Sequence, residues 1–360
     1  VPEPVVRVVV DGRSFADASS FRGIGSYVRN VVEGLARRPD LDVRVLARPS
    51  ALLPDGARRR RVLRVAPGRW QAREHDLLLP LDLTRVPGDV AFSPALDPPA
   101  VCHRPWVQTL HDVLPLDGRS PEEVRRFRQQ ATRYRRAAAL VAVSRWTADE
   151  AINRLELDPA RVHVVPHGVS ARFRPGPGPD GPPYLLFVGE YDPRKRHALA
   201  YAAVGALADK GFPHELVVTG RLAPWYADEM AALHAGAPRP DRVVVRGHVS
   251  ADELLALYQG ASALVVTSSA EGFGFPALEA MACGTPVVAF ANSAITEVVG
   301  DAGVLVEDGD VGALVDALVS VLSSPERRAD LSGRAQERAG RYTWEASVEQ
   351  HAAILRSVTR

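Results

Sequence analysis

The stretch EGFGFPALEAMACGTPVV, residues 271–288, decides how the rest of the chain is read. Pro276 suits the first position of a helix, where its missing N–H costs nothing, and Gly284 suits the position just past the end. The stretch therefore predicts a short helix over about residues 276–283, followed by a buried β-branched strand. Two carboxylates, Glu271 and Glu279, flank its start eight positions apart. N–H groups near Gly274 and Phe275, unpaired within the helix, make that start a ready site for an anion. Carboxylates beside an anion are poor phosphate ligands. They are good acceptors for sugar hydroxyls on either side of a diphosphate, which is the geometry of a bound nucleotide-sugar. The plainer alternative is a Glu in the first helical turn gaining ~0.3–1 kcal/mol from the macrodipole.

Outward from this stretch, short β-branched runs alternate with amphipathic segments. VVRVVVDG (5–12), DVRVLA (42–47), DVAFSP (89–94), WVQTLHD (106–112), LVAVS (140–144) and VHVVPHG (162–168) read as strands, with helical patterns over 24–37 and 121–138. A second series follows: YLLFVG (184–189), ELVVTG (215–220), RVVVRG (242–247), ALVVTS (263–268), PVVAF (286–290) and GVLVE (303–307). Uninterrupted apolar strands separated by helices predict α/β layers with buried parallel sheets. Between the two series lies RPGPGPDGPP (174–183), whose prolines and glycines suit a linker. The expected organisation is a first domain over 1–172, a linker over 173–183 and a second domain over 184–342. Many strands end on a glycine or small polar residue, Gly12, Ser144, Gly168, Gly189, Gly220, Gly247 and Ser268 among them. Ligands of open parallel sheets bind beyond such carboxyl ends.

Composition narrows the partners. The 360 residues exceed the size of one usual core, and 46% hydrophobic with 24% charged residues is ordinary for a globular chain. A formal net charge of +1 gives no global reason to expect nucleic acid. Two cysteines, Cys102 and Cys283, are too few for a disulfide framework or a cysteine metal site, so a reducing cytoplasm is the expected compartment. No signal peptide or apolar span is expected either. Of 44 basic residues only two are lysines, Lys195 and Lys210. Lys210 precedes Gly211 and suits a helix end. Lys195 lies in EYDPRKR (190–196), where Arg194 and Lys195 follow a strand end and a proline turn. Cations at a helix start oppose the macrodipole, so a bound anion accounts for them better than solvation does. The arginines at 58–61 and over 125–136 suit solvated helix faces, with weak contact to an anionic membrane or a lipid-linked acceptor as the alternative.

The stretch 271–288 resembles the E-x7-E signature of the retaining glycosyltransferases of family 4, whose fold is GT-B. The resemblance extends to RGIGSYVRN (22–30), TLHDVLPL (109–116), VAVSRWTADE (141–150), VVPHGVSARFRP (164–175) and FVGEYDPRKRHAL (187–199). It implies two Rossmann-like domains whose parallel sheets face a central cleft. The segment 343–360 resembles the terminal helix that returns to the first domain. By that resemblance Glu271 touches the donor sugar and Glu279 the ribose, and the amides of Gly272, Phe273, Gly274 and Phe275 hold sugar hydroxyls and the distal phosphate. Lys195 and Arg194 neutralise the leaving diphosphate beside Gly189. His111 contacts the donor sugar, and His248 with Val249 holds the base through backbone. Gly23, Ile24 and Gly25 form an acceptor or phosphate loop. Relatives often carry Arg where this chain has Glu190, and Asn where it has His167.

The implied activity is transfer of a hexosyl unit to a small-molecule, glycan or lipid-linked acceptor, with no metal and no cofactor beyond the nucleotide-sugar substrate. TLHDVLPL and DPRKR resemble a bacterial mannosyltransferase-like branch, which implies GDP-mannose; UDP- and dTDP-sugars stay open. A nucleotide-sugar epimerase and a non-catalytic nucleotide-sugar-binding protein are the other classes the sequence leaves standing.

Overall fold

The computed structural model describes residues 4–16, 23–47, 51–61, 71–95, 98–117 and 121–359. They form two units, one of Val1–Gly168 with Thr343–Arg360, the other of Val169–Tyr342.

The first unit is built on a seven-stranded sheet. Its strands are β1 (Val6–Asp11), β2 (Leu41–Ala47), β3 (Arg58–Arg61), β4 (Val90–Ser93), β5 (Trp106–Leu110), β6 (Ala139–Ala142) and β7 (Val162–Val164). Their spatial order is β3-β2-β1-β4-β5-β6-β7, and all neighbours run parallel. β1 is aligned so that Val8 faces Val43 on one side and Val90 on the other. Val9, Leu46, Leu110 and Leu140 bury against Leu79, Phe127, Tyr134 and Leu155 from the covering helices.

One strand departs from the sequence expectation. Arg58, Arg59 and Arg60 read as a solvated helix face; they are exposed, but they lie on the edge strand β3, paired with Arg44, Val45 and Leu46. An edge strand has one open side, and charge there discourages pairing with another chain.

The second unit holds a six-stranded parallel sheet: β8 (Tyr184–Val188), β9 (Glu215–Thr219), β10 (Val243–Gly247), β11 (Ala263–Val266), β12 (Val287–Phe290) and β13 (Val304–Val306). Its order is β10-β9-β8-β11-β12-β13, so the strand order reverses between β8 and β11. Leu185, Phe187, Val218, Val265 and Val288 meet Tyr201, Val204 and Leu207 of helix His197–Asp209, and Leu314 and Leu318 of helix Val311–Leu322.

The chain leaves the first unit after Gly168, not in the Pro/Gly-rich stretch 173–183, which belongs to the second unit. Packing explains the difference: Gln259 Nε2 donates to Arg174 O at 2.8 Å, and a Cβ on Gly178 would stand 2.0 Å from Gly260 Cα. The glycines let this segment lie flat on helix Ala251–Gly260.

The terminal helix Trp344–Ser357 belongs to the first unit and is capped by Thr343, whose hydroxyl accepts from Ala346 N. It packs on helix Gly23–Ala36, where Gly34 leaves room for Val348, and Arg38 and Arg356 bind Glu349 and Asp40. Among the described residues no helix is long and apolar enough to cross a membrane.

Candidate functional site

The helix drawn from the stretch 271–288 spans Phe275–Ala282, with Pro276 in its first turn. Gly274 precedes it at φ 103°, and a Cβ there would meet Ile295 Cδ1 at 2.6 Å, so both backbone and space call for glycine. At the other end Gly284 N donates to Met281 O and Thr285 N to Ala280 O, with Gly284 at φ 78°. That Schellman pattern stops the helix where the sequence placed its end.

The start of this helix opens beside the carboxyl ends of β8 and β11, the strands between which the sheet order reverses. A hollow there is lined by Lys195, Ser268, Glu271, Gly274, Pro276 and Ile295. After β8, Asp192 accepts from Arg194 N at 2.8 Å and caps the short 3-10 turn Pro193–Lys195. The turn sends Lys195 back over the strand end, where Gly189 makes way: a Cβ on Gly189 would lie 3.2 Å from Lys195 Cε.

Lys195 Nζ donates to Glu271 Oε1 at 2.5 Å, and Arg194 NH1 stands 3.3 Å from Glu271 Oε2 while donating to Ala270 O. Burial alone would raise the Glu271 carboxyl, but Lys195 and then Arg194 outweigh it and hold the group below the usual range. Glu271 N donates to Ser293 Oγ at 2.9 Å, and Ser293 itself sits at φ 46°. Asn292 Nδ2 bridges Ser268 O and Asp308, which also pairs with Arg196. The Glu271 carboxylate is thus shared between two cations, of which Lys195 lines the hollow.

Glu279 occupies a different setting on the same helix. Tyr258 OH, fully buried, donates to Glu279 Oε2 at 2.9 Å. Burial pushes the Glu279 carboxyl up to about 7, against the lowering effects of the Tyr258 hydrogen bond and the Arg172 charge. Tyr258 belongs to helix Ala251–Gly260, which begins at a capping box of Ser250 and Glu253. The turn before that box contains His248 and Val249, at the end of β10. Phe273 is buried against Phe275 and Tyr342 at ring separations of 5.4 and 6.0 Å, leaving Gly272 and Gly274 as the small residues of the loop.

The structure thus brings Lys195, Arg194, Glu271, Gly189 and the Gly272 to Phe275 loop into one place in the second unit. His111, Gly23, Ile24 and Gly25 lie in the first unit. Gly23 and Ile24 begin helix Gly23–Ala36, and Arg22, the first residue of their motif, is outside the described residues. His111 is only 5% exposed, its Nε2 donates to Pro94 O at 2.7 Å, and burial pushes it down to about 4. With its one N–H held by Pro94 O, the neutral ring can accept a hydrogen bond at Nδ1 but carries no charge near neutral pH.

Around His111 the first unit holds a buried cluster that sequence reading missed. Tyr27 lies 5.0 Å from the His111 ring and 4.8 Å from the His167 ring. His351 Nδ1 faces Ser347 O at 2.7 Å and must donate to it, so its neutral ring accepts at Nε2. Tyr27 OH then donates to His351 Nε2 at 2.8 Å and accepts from Thr109 Oγ1 at 2.7 Å. Residues this far apart in sequence leave no local motif. Tyr258 was missed for the same reason, although a buried tyrosine hydroxyl always needs a partner.

Two parallel α/β units, each with a reversal point in its strand order, are the two domains of a GT-B fold, and the second carries a cation pair beside the start of helix Phe275–Ala282. The family description "Glycosyltransferase Family 4" matches residues 21–173, and "Glycosyl transferases group 1" matches residues 170–338. The chain belongs to that family. It is 32% identical over 288 residues to a D-inositol 3-phosphate glycosyltransferase of Salinispora tropica, in an alignment covering 68% of this chain and 57% of that protein. The chain therefore spans less than two thirds of that relative. Among solved structures it resembles sucrose-phosphate synthase from Thermosynechococcus elongatus, with a TM-score of 0.79, 22% identity, and 98% and 99% of the two chains covered. It also resembles HepE of Anabaena in complex with UDP-glucose, with a TM-score of 0.76, 17% identity, and 98% and 100% covered. These structural likenesses show the fold.

Proposed function

We propose that the protein is a retaining, metal-independent hexosyltransferase that moves a hexosyl unit from a nucleoside diphosphate sugar to an acceptor hydroxyl. The observation that supports this reading best is the Lys195, Arg194 and Glu271 cluster at the start of helix Phe275–Ala282. Its two cations suit a diphosphate, and fixed cations with helix-start amides can stabilise a leaving diphosphate as a metal would.

When the diphosphate enters, Lys195 exchanges Glu271 for phosphate oxygens, and the released Glu271 carboxylate accepts from sugar hydroxyls. Glu279 accepts from the ribose, and the backbone at His248 and Val249 meets the base. The bond from the anomeric carbon to the phosphate oxygen breaks as the acceptor oxygen bonds to the same face. The departing phosphate oxygen takes the acceptor's proton, so no side chain needs to act as nucleophile or base. Lys195 and Arg194 hold the charge that accumulates on the diphosphate.

The relatives named D-inositol 3-phosphate glycosyltransferase make a phosphorylated polyol the first acceptor to try. GDP-mannose and UDP-glucose are the first donors. Ligand binding to the native state raises its melting temperature, so a thermal-shift panel of nucleotide-sugars finds the donor. Product analysis with that donor, with and without acceptor and with chelator present, is expected to give an α-linked product from an α-linked donor. Inversion, loss of turnover in chelator, epimerisation by donor alone, or binding without turnover would each overturn the reading.

A further inference from the structure

A buried hydroxyl that no sequence motif marks is bonded to the backbone of Lys195. The turn Pro193–Lys195 and the residue after it present three successive carbonyls, those of Arg194, Lys195 and Arg196, to the loop that follows β11. Ser269 N donates to Arg194 O at 2.8 Å. Thr267 Oγ1 lies 2.8 Å from Lys195 O and 3.1 Å from Arg196 O, and Thr267 is fully buried. Both partners are carbonyls, so the hydroxyl donates to them and its proton is shared. Arg196 adopts the left-handed region at φ 51°, a conformation that a non-glycine residue keeps only when its surroundings hold it.

We propose that Thr267 is a positioning residue for glycosyl transfer: its buried hydroxyl fixes the backbone root of Lys195 so that the ammonium group reaches the leaving diphosphate. The inference rests on the role proposed for Lys195. A lysine side chain has four flexible carbons, so an ammonium held at one point needs a fixed root and a fixed path. Gly189 clears the path and Thr267 fixes the root. Ser269 cannot replace it, because its own hydroxyl and amide go to Arg194 O.

The test is steady-state kinetics of the full chain with GDP-mannose and UDP-glucose, comparing Thr267→Val, Thr267→Ser, Lys195→Ala and the Thr267→Val/Lys195→Ala pair. Thr267→Val keeps the shape and removes the hydroxyl. It is expected to lower kcat about tenfold with donor KM within about twofold, and Thr267→Ser to restore most of the loss. In the Lys195→Ala background the valine is expected to cost less than about twofold, since no ammonium is left to misplace. Wild-type kcat in Thr267→Val, beside a collapsed Lys195→Ala, would overturn the inference and leave the function standing. Equal losses in both backgrounds would also overturn it, by showing a merely structural role. Full turnover in Lys195→Ala would remove the underlying reading of Lys195 instead. Should Thr267→Val not fold, Thr267→Ala carries the same comparison.

Discussion

Lys195 Nζ lies 2.5 Å from Glu271 Oε1 although the two residues are 76 positions apart. They follow β8 and β11, neighbours at the point where the strand order reverses. The pair is mostly buried, with 11% and 13% of the two side chains exposed. Removing one member of such a pair ordinarily leaves an uncompensated charge. Here Arg194 stays 3.3 Å from the carboxylate, so loss of the lysine still leaves Glu271 partnered.

Lys195→Ala is therefore expected to lower kcat by at least about tenfold while the melting temperature stays near that of wild type. Turnover assays and thermal melts on the same preparation check both halves. A variant with wild-type turnover would show that the ammonium does not carry the leaving group.

Glu279 gives a prediction with a sign. Its carboxyl is raised to about 7, so near neutrality a part of the population is protonated and cannot accept two hydroxyl hydrogen bonds. Nucleotide affinity is expected to rise between pH 6 and 8 as the proton leaves, and Glu279→Gln to bind more weakly with a flatter pH profile. Calorimetric titration with the nucleoside diphosphate checks it. The same raised value means that Glu279 contributes stability that fades as pH rises from about 4.5 to about 7. Equal affinity in Glu279→Gln at every pH would separate Glu279 from the ribose.

What the sequence made legible follows the range of the forces involved. The helix Phe275–Ala282 could be read from Pro276 and Gly284 because caps act within one turn. The two series of parallel strands could be read from uninterrupted apolar runs. The point where the chain changes units could not, because Pro and Gly mark a break in local structure and say nothing of which unit's surface they pack on; helix Ala251–Gly260 decided that. The edge strand β3 was hidden by its arginines, which look solvated whether or not their backbone is paired. At the site, Lys195 stood out by its rarity and Glu271 by its motif. Thr267, Tyr258 and His351 act through hydrogen bonds to residues far away in sequence, and such partners appear only when the chain is folded.

The histidines predict acid lability. His111, His351 and His197 are pushed down to about 4 by burial, and His167 well below its ordinary value for the same reason. An unfolded histidine protonates near pH 6.5. Between about 6.5 and 4 the unfolded chain therefore binds more protons than the folded one, and stability falls as pH falls. Each such group contributes a slope of up to about 1.4 kcal/mol per pH unit. Glu279 acts in the opposite direction over part of this window, one proton against several. Thermal melts across pH 4 to 7 are expected to show a steep decline on the acid side, made shallower by His351→Gln, which carries no charge at any pH. A midpoint constant over that range would mean that these rings are already protonated in the fold.

Gly220 links the sheet to the site by close backbone approach. A Cβ there would stand 1.9 Å from Gly189 O and 2.8 Å from Glu190 N. Neither strand can retreat freely: Gly189 N donates to Thr219 O, and Gly220 N to Gly247 O, each at 2.9 Å. Gly220→Ala must therefore displace the end of β8, and with it Gly189, against which the Lys195 chain lies. The expected result is a loss of about 1–3 kcal/mol of stability together with a fall in kcat. Gly309→Ala is the control, since Gly309 has φ 84° but nothing within 4 Å of its added Cβ. That variant bears only the cost of a left-handed alanine, about 1–2 kcal/mol, and keeps its kcat. Melting curves and turnover measured on the two alanines decide the matter: a fall in kcat for both, or for neither, would mean that the close approach at Gly220 does not set the position of Lys195.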